Sequence, residues 1–448
     1  MLRTTAEEIA AATGGRIVGS GSVTAVSTDS RQISPGCLFV PLVGERFDGH
    51  SYIDAALSAG AAGCLCRQLP ERLLPEKFYV EVADTRLALK ALASWYRGKF
   101  DIPFVQITGS VGKTTTKEMV AAVLSQRYRT LATQGNFNND IGVPLTLFGL
   151  GPEHEAAVIE SGMNHFGEIR YLGEMIRPDF ALITNIGDAH IEYLGSREGI
   201  LRAKSEIFEN LKEGGVAVLS GDDELLRTLR LPFPTVLCGR SGGCDVRIEE
   251  VADNGVKGIN CIVETAQSTY HFSIPALGTH MVYPAAMAAA VAERLGLTPA
   301  EIERGVAAYR PAGSRMRLVR SESGLVILDD CYNANPQSME AALRILAKER
   351  RTMAILGDMG ELGPISPEAH RQVGALAKEL GVGSLVAVGE KAKEMAAGAA
   401  GMPVSWFPTV EEALGHLPSL ITQRDMAVLV KASHAMHFER IVEELKGL

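Results

Sequence analysis

Short apolar segments alternate with amphipathic helical patterns through most of this chain of 448 residues. Between residues 102 and 309 the segments "PFVQITG", "AAVIES", "FALITNIG" and "GGVAVLSGDD" are predicted strands, and a helix is predicted over 113–127. Strands that alternate with helices form parallel sheets that are covered on both faces. Ligands of such sheets bind at the carboxyl ends of the strands, so the residues that follow these strands are the first candidates for a functional site.

The same alternation divides the chain into three predicted α/β domains, which agrees with a length of about 150 residues per domain. Residues 1–99 are predicted to form a mixed α/β domain, residues 100–309 a central parallel-sheet domain, and residues 310–448 a smaller Rossmann-like domain. In the first of these, "GCLFVPLVG" is predicted to be a strand. The β-rich stretch 244–275 is expected to extend one edge of the central sheet. The spacing of Thr5 and Glu8 predicts a helix with a capping box near the N-terminus.

Composition excludes several classes of function. Hydrophobic residues are 46% and charged residues 22% of the chain, the balance of a soluble globular protein. A net charge of -9, with both signs interspersed, argues against a nucleic-acid partner. The seven cysteines include no Cys-x-x-Cys pair, which predicts neither a zinc site nor disulfides and favours a reducing compartment. Since neither a signal peptide nor a run of about 20 apolar residues is recognised, we expect a cytoplasmic protein without a membrane span.

The segment "ITGSVGKTTTK" follows the first strand of the central domain and is typical of a phosphate-binding loop. Gly109 and Gly112 allow a tight turn, and the helix that follows directs its positive dipole end at the loop. Lys113 has the place of a lysine that reaches the terminal phosphates, and Thr114 that of a hydroxyl ligand of Mg²⁺. The alternative is a strand–helix turn without a ligand, because Ile107 stands where the general motif has its first glycine. The predicted nucleotide contacts are Thr108, Gly109, Ser110, Val111, Gly112, Lys113, Thr114 and Thr115.

Three further residues of the central domain are candidates. Glu160 in "ESGMN" follows a strand and could hold Mg²⁺, a hard cation that prefers oxygen ligands, or could cap the next turn. His190 in "TNIGDAHIE" is by itself more readily a structural residue, but its neighbours favour a role with a metal or a phosphate. Lys204 in "RAKSEIF" lies in an amphipathic helix, where a solvated surface charge is the ordinary interpretation.

Polar residues also follow strands of the C-terminal domain. Asp330 and Asn333 follow one strand and Lys431 another, and these residues could bind a nucleotide or an amino acid. Arg315 lies near the junction of two domains, from which it could reach a phosphate when the domains close. A dense set of amides in "GNFNNDIG" forms either a binding site or a turn; its asparagines are Asn136, Asn138 and Asn139.

Together these motifs resemble the Mur ligase family of peptidoglycan synthesis, over the whole chain. The segments "TGSVGKTTTK", "GNFNNDIGVP", "ESGMN", "TNIGDAHIE" and "AKSEIF" occur in the family's order, and the family's ATP loop also lacks the distant first glycine. "YNANPQSM" and "LGDMGELG" are similar to the branch that joins D-alanyl-D-alanine to UDP-N-acetylmuramoyl-tripeptide. The N-terminal "STDSRQISPGCLFVPLVGERFDGH" is similar to a UDP-sugar segment, which implies substrate contacts at Ser30 and Arg31.

The resemblance implies an ATP-dependent ligase that acts through an acyl phosphate, with two Mg²⁺ ions and those two substrates, and most simply as a monomer. It also implies that Thr114 and Glu160 hold one metal ion, that His190 helps to hold the second, and that Lys204 is carbamylated and so offers an anionic oxygen. The other implied contacts are His280, Arg315, Asp330 and Asn333 for the nucleotide, and Asn136, Asn138, Asn139, Asn335 and Lys431 for the substrates.

The chain departs from the family's pattern at three positions. Met281 and Pro284 stand where asparagines are usual near the adenine, and His434, mostly neutral at pH 7, stands where an arginine is usual. Three alternatives remain open: a related Mur or folylpolyglutamate-type ligase with another substrate, a P-loop phosphotransferase or regulatory NTPase, and an inactive homologue that binds the nucleotide sugar. "YNANPQSM" argues against the first of these alternatives.

Overall fold

The computed structural model describes residues 1–44, 47–311, 313–421 and 423–448, with the backbone alone at position 256. Within these residues three large sheets are flanked by helices, which confirms the predicted α/β class. The predicted domain boundary after residue 99 falls in the connection between the helix Thr85–Arg97 and the strand Phe104–Thr108.

The N-terminal sheet has five strands in the described residues. Strands and helices of this region are β1 (Thr4–Thr5), α1 (Ala6–Thr13), β2 (Arg16–Val18), β3 (Ser22–Val23), β4 (Val26–Ser27), β5 (Leu38–Phe39), a 3₁₀ turn (Gly49–Tyr52), α2 (Ile53–Ser58), β6 (Gly63–Cys66), β7 (Phe78–Glu81) and α3 (Thr85–Arg97). The strand order is β2-β7-β6-β5-β4, and β2 alone runs antiparallel to its neighbour. The predicted capping box of α1 is confirmed, since Thr5 and Glu8 exchange hydrogen bonds. The strand predicted over "GCLFVPLVG" is wrong in its length, because only Leu38–Phe39 joins the sheet before Pro41, which has no N–H to donate.

The central sheet has nine strands in the described residues. Its elements are β8 (Phe104–Thr108), α4 (Lys113–Leu124), β9 (Thr130–Ala132), α5 (Gly142–Phe148), β10 (Ala156–Glu160), α6 (Glu168–Ile176), β11 (Phe180–Ile183), α7 (Ile191–Leu194), α8 (Arg197–Ser205), β12 (Val216–Ser220), β13 (Thr235–Gly239), β14 (Val246–Asp253), β15 (Ile259–Glu264), β16 (Thr269–Ile274), α9 (Val282–Arg294) and α10 (Pro299–Ala308), with 3₁₀ turns at Glu206–Phe208, Leu226–Thr228, Gly255–Lys257 and Thr279–Met281. The order β16-β15-β14-β13-β12-β11-β8-β10-β9 places β8 between β11 and β10, and all strands except β15 and β16 are parallel. The predicted β-rich extension therefore lies at one edge, as expected.

The central sheet is covered on both faces by different cores. On one face Val105 and Ile107 of β8 pack with α4, α9 and α10. On the other face Phe104 and Ile159 pack with helices α1 and α3 of the N-terminal region, as well as with α5 and α6. Arg97 strengthens this junction, because its buried guanidinium lies over the Phe104 ring and donates to backbone carbonyls near the end of α6.

The C-terminal sheet has six strands in the described residues. Its elements are β17 (Arg317–Arg320), β18 (Val326–Asp329), α11 (Pro336–Leu346), β19 (Thr352–Gly357), α12 (Ser366–Glu379), β20 (Ser384–Val388), α13 (Lys393–Gly398), β21 (Val404–Phe407), α14 (Val410–Leu420), β22 (Ala427–Lys431) and α15 (Glu439–Gly447), with 3₁₀ turns at Gly363–Ile365 and His434–Met436. The order is β17-β18-β22-β19-β20-β21, and β17 alone is antiparallel. Apolar cores lie on both faces of the sheet, as a Rossmann-like domain requires.

The C-terminal region is closed onto the central one in this structure. Lys348 forms an ion pair with Asp253. Gln337 of α11 also lies close to Gly187, because a Cβ added at Gly187 would be 1.8 Å from Gln337 Oε1. None of the helices in the described ranges is long and apolar enough to cross a membrane.

Candidate active site

One large cleft of about 1210 Å³ separates the central and C-terminal regions. Its walls come from residues that follow β8, β10 and β11 on one side and β18, β19 and β22 on the other. The carboxyl ends of two parallel sheets thus face each other across the same cavity, which is where ligands of such sheets bind.

The loop after β8 is shaped by two glycines at positive φ. Gly109 has φ 152°, and a Cβ added there would lie 1.8 Å from Thr184 Oγ1. Gly112 has φ 80° and immediately precedes α4, whose first residue is Lys113. The Lys113 Nζ turns back and donates to the Gly109 carbonyl at 2.8 Å. A lysine over a glycine turn at a helix N-terminus has the arrangement expected of a phosphate loop.

Two residues that follow β11 hold this loop, and the sequence analysis did not single them out. Thr184 Oγ1 donates to the Val111 carbonyl at 2.6 Å. Asn185 donates to the same carbonyl at 3.0 Å, and its Oδ1 accepts the Val111 N–H at 3.0 Å. In the sequence, these two residues are marked only by their position at the start of "TNIGDAHIE", directly after β11, the strand that pairs with β8.

Glu160 is a buried carboxylate whose two oxygens point to the loop and to the asparagine segment. Oε2 accepts the Thr114 hydroxyl at 2.7 Å, and Oε1 accepts Asn138 Nδ2 at 2.9 Å. The Glu160 backbone is itself held by Thr133, whose hydroxyl accepts its N–H at 3.0 Å. The structure therefore brings a hydroxyl, a carboxylate and an amide together beside the loop, a set of oxygen donors suited to a hard cation.

Lys204 lies at the end of α8 and is only 1% exposed, so the interpretation as a solvated surface charge is wrong. Among the described residues its ammonium has neither a hydrogen-bond partner nor a carboxylate partner. Burial lowers the pKa of Lys204 well below its usual value, and the nearby charge of Lys113 lowers it further. Burial thus favours the neutral, nucleophilic form of this amine.

His190 and Glu361 meet across the cleft. His190 Nδ1 lies 2.6 Å from Glu361 Oε2. Both residues have a left-handed backbone, with φ 66° and φ 57°, a conformation that is uncommon without glycine. Contact with His190 lowers the pKa of Glu361, which keeps this carboxylate ionised. Glu361 lies in the segment "LGDMGELG", which the family resemblance includes, but it was not among the predicted site residues.

The C-terminal candidates lie on the opposite wall. The Arg315 guanidinium lies 3.8 Å from the centroid of the Tyr332 ring, and the His434 ring stacks on Tyr332 at 5.5 Å. Lys431 is buried, and its Nζ donates to Asp330 Oδ2 at 2.6 Å and to the Asn333 carbonyl at 2.8 Å. Of these two cations, Lys431 is engaged by Asp330 and Asn333, and Arg315 is the one that faces the cavity.

The other predicted site residues are spread more widely. Asn335 lines the cleft, but its Oδ1 caps α11 by accepting the Ser338 N–H at 2.9 Å. Asn139 similarly accepts the Gly142 N–H at the start of α5, and Asn136 is exposed. The cleft also includes Ser110, Val111, Thr115 and His280 among its lining residues. Outside that lining are Gly109 and the buried residues Thr108 and Lys204. Ser30 and Arg31 of the N-terminal domain also lie outside it, and Arg31 pairs with Asp29.

No group of three or more histidine, cysteine, aspartate or glutamate side chains gathers as a metal site in the part of the chain that the structure describes. Any cation beside the loop would therefore depend on the Thr114 hydroxyl, on Glu160 and on substrate oxygens, with Lys204 contributing only after chemical modification. That donor set fits Mg²⁺, which usually takes one or two protein carboxylates together with phosphate oxygens.

The segment that carries Glu361 is anchored by a buried histidine. His370 Nε2 accepts the Met359 N–H at 3.0 Å, and its Nδ1 lies 2.7 Å from the Ser366 carbonyl. This pattern requires the neutral ring with its proton on Nδ1. Burial lowers the pKa of His370 below its usual value. A protonated ring would also lose the Nε2 acceptor that binds the Met359 N–H.

We expect acid to loosen this anchor. The unfolded chain takes up a proton at His370 near pH 6.5, about the ordinary histidine value, whereas the folded chain resists it. Folding stability should therefore be lost as pH falls through about 6.5 toward the lowered folded pKa. Unfolding free energies measured from pH 8 to pH 5 should show this loss in the parent protein and a flatter profile in His370→Asn. Replacement of the exposed His416 by glutamine is the control, and equal profiles in all three proteins would contradict the assignment.

Comparison with known proteins agrees with this arrangement. Three family models match: "Mur ligase family, catalytic domain" at residues 22–97, "Mur ligase middle domain" at 107–292, and "Mur ligase, glutamate ligase domain" at 314–434. The UDP-N-acetylmuramoyl-tripeptide–D-alanyl-D-alanine ligase of Bacillus subtilis is 38% identical over 94% of this chain and 92% of its own length.

Solved structures agree with the sequence comparisons. A crystal structure of MurF from Acinetobacter baumannii is 34% identical and matches with a TM-score of 0.92, covering 99% of both chains. A MurF ligase from Thermotoga maritima in complex with ADP is 27% identical and matches with a TM-score of 0.83, over 94% of this chain and 97% of that one. The family expected from the motifs is therefore confirmed: this chain belongs to the Mur ligase family.

Proposed function

We propose that this protein is an ATP-dependent amide ligase that joins D-alanyl-D-alanine to UDP-N-acetylmuramoyl-tripeptide in peptidoglycan precursor synthesis. The observation that carries the proposal is the cleft in which Lys113 and Glu160 of the central region face Arg315 of the C-terminal region. The names of the relatives that match nearly the full length support the same two substrates.

The chemistry begins with the approach of two anions. The terminal carboxylate of the tripeptide attacks the γ-phosphorus of ATP, and the bond from that phosphorus to the oxygen of ADP breaks. The site must supply positive charge before this step, because water is largely excluded from a closed cleft. Lys113 and the loop N–H groups take the terminal phosphates, and Arg315 approaches from the other wall. The loop residues Thr108–Thr115 thereby serve as the ATP site.

The second step forms the amide. The amine of D-alanyl-D-alanine attacks in its neutral form at the carbonyl carbon of the acyl phosphate, and the carbon–oxygen bond to phosphate breaks. Inorganic phosphate leaves with the displaced bonding pair, and the proton lost by the nitrogen passes to phosphate or solvent. Closure of the C-terminal region keeps water from hydrolysing the acyl phosphate. Asp330, Asn333 and Lys431 support the wall that carries Arg315, since their mutual contacts fix the turn after β18.

Thr114 and Glu160 would hold Mg²⁺, with His190 contributing toward a second ion. When bound, the ions offset the negative charge of the transferred phosphate. The neutral amine of Lys204 suits carbamylation: its nitrogen adds to the carbon of CO₂, a proton is released, and an anionic oxygen ligand results. Carbamylation would convert this buried, unpaired amine into a group that can bind a cation.

The same proposal assigns residues 1–99 to the UDP-sugar, with Ser30 and Arg31 among its contacts, residues 100–309 to ATP, and residues 310–448 to the dipeptide. Asn136, Asn138 and Asn139 would position the tripeptide beside Glu160, and His280 and Asn335 line the remaining wall. A monomer in the cytoplasm, where ATP is made, fits these assignments.

Phosphate release tests the proposal directly. We expect rapid release only when ATP, UDP-N-acetylmuramoyl-tripeptide and D-alanyl-D-alanine are all present, because the acyl phosphate is protected until the amine arrives. The assay would be run with tripeptides that carry lysine or diaminopimelate at the third position, and the product checked by mass. Vigorous release with ATP alone would instead support an NTPase that uses ATP for switching.

Position 434 offers a finer prediction. His434 stacks on Tyr332, the ring that also carries Arg315. His434→Arg adds a permanent cation at this wall, so we expect the KM for the dipeptide, which carries a carboxylate, to fall by a few fold. Michaelis constants unchanged at every pH would show that the side chain at 434 has no role in binding.

A further inference from the structure

Glu361 lies in the cleft, and only one of its two carboxylate oxygens contacts another side chain. Oε2 faces His190 Nδ1, and Oε1 has no hydrogen-bond partner among the described residues. Its side chain is 45% exposed, and the space it faces is the cleft itself. The residue is thus accessible to a ligand inside the cavity, at the point where the two walls meet.

The other carboxylates of the cleft are engaged or remote. Glu160 accepts hydrogen bonds from Thr114 and Asn138, and Asp330 accepts them from Lys431 and the Met316 N–H. Asp222 and Asp223 accept backbone N–H groups and the Tyr283 hydroxyl. Glu224 is free as well, but it follows β12, two strands away from the phosphate loop.

Glu361 lines the same cleft as Lys113, the lysine of the phosphate loop, and as Glu160. The proposed reaction brings a peptide amino group to this place, and near neutral pH most of that amine arrives as an ammonium ion, since α-amino groups have a pKa of about 8. Lys113 and Arg315 line the same cleft and would repel this cation.

We propose that Glu361 receives the amino terminus of the incoming dipeptide, with Oε2 held by His190 and Oε1 on the ammonium group. This inference rests on the proposed function and assigns to one residue the specificity for a cationic acceptor. His190 orients the carboxylate, and the arrangement forms only when the C-terminal region closes, because the two residues belong to different domains. Amine capture is thereby linked to closure.

Glu361→Gln should separate amine capture from acyl-phosphate formation. Loss of a charge-assisted contact predicts a rise of roughly 10- to 100-fold in the KM for D-alanyl-D-alanine, with the KM for ATP changed by less than about twofold. Hydroxylamine, largely uncharged near neutral pH, attacks an acyl phosphate to form a hydroxamate and free phosphate. Hydroxamate formation from ATP and the tripeptide should therefore proceed in the variant at close to the parent rate.

Two further variants keep the test sharp. Glu361→Asp retains a carboxylate and should recover much of the dipeptide affinity, and Glu224→Gln removes the other free carboxylate and should leave every constant near the parent value. An unchanged dipeptide KM in Glu361→Gln would overturn the inference, as would a parallel loss of hydroxamate, which would place Glu361 in the first step. A parent protein that forms no hydroxamate would instead overturn the proposed function.

Discussion

Replacement of Lys204 by alanine should reduce amide formation by at least about 100- to 1000-fold, the scale seen when a group that stabilises developing charge is removed. The side chain is almost wholly buried, its pKa is strongly lowered, and no described residue pairs with it. In the proposed function its carbamate would supply an anionic oxygen in addition to Glu160, which a neutral or cationic replacement cannot supply. Steady-state rates with both substrates, measured at saturating ATP, give the comparison.

Three experiments distinguish a missing carbamate from a damaged fold. Lys204→Arg preserves a long cationic side chain but cannot form the carbamate, so it should be about as inactive as Lys204→Ala. Formate added to Lys204→Ala supplies a small carboxylate for the vacated space and should restore part of the rate. The parent enzyme should also slow in CO₂-depleted buffer and recover with bicarbonate. A Lys204→Arg variant with near-parent activity would contradict the assignment.

Gly109→Ala is the second change with a large expected effect. A Cβ at this position would lie 1.8 Å from Thr184 Oγ1 and 3.0 Å from Thr184 Cβ, and the backbone φ of 152° is itself unfavourable for alanine. Thr184 must move, and with it the hydrogen bond that fixes the Val111 carbonyl. Overpacking of this kind costs roughly 1–3 kcal/mol. We expect a fall in Tm and a rise of about tenfold or more in the KM for ATP.

Gly112→Ala is the matched control, in the same loop and also at positive φ. No atom lies within 4 Å of the Cβ that would be added there, so the change costs backbone strain alone. Thermal unfolding and ATP saturation curves of the two variants should therefore differ clearly, with Gly109→Ala the more damaged. Equal losses in both variants would mean that positive φ, rather than Thr184, determines the requirement for glycine at 109.

The sequence predicted the sheets well because strand and helix patterns are local. The alternation located β8, β10, β11 and β12 to within a few residues, and the edge extension at 244–275 corresponds to β14–β16. It overestimated β5, where pairing stops at two residues although the apolar segment continues. Apolar character reports burial, but strand length depends on which neighbour is available for pairing.

The site was predicted in part. The loop and Asp330 follow strands, and Glu160 and Lys431 are the last residues of theirs, so their places could be read from the rule that ligands bind at the carboxyl ends of strands. Thr184 and Asn185 were missed, because hydroxyl and amide residues after a strand are common and nothing in their spacing reveals that they hold the loop.

Sequence by itself determined the class of the fold, the family, and the position of the phosphate loop, since each depends on patterns within a few tens of residues. Only the tertiary structure decided that Lys204 is buried and unpaired, that Glu361 meets His190, and that Gly109 is required by Thr184. The physical reason is that burial and pairing are properties of neighbours in space. Those neighbours come from different strands and different domains, and the chain brings them together only by folding and closing.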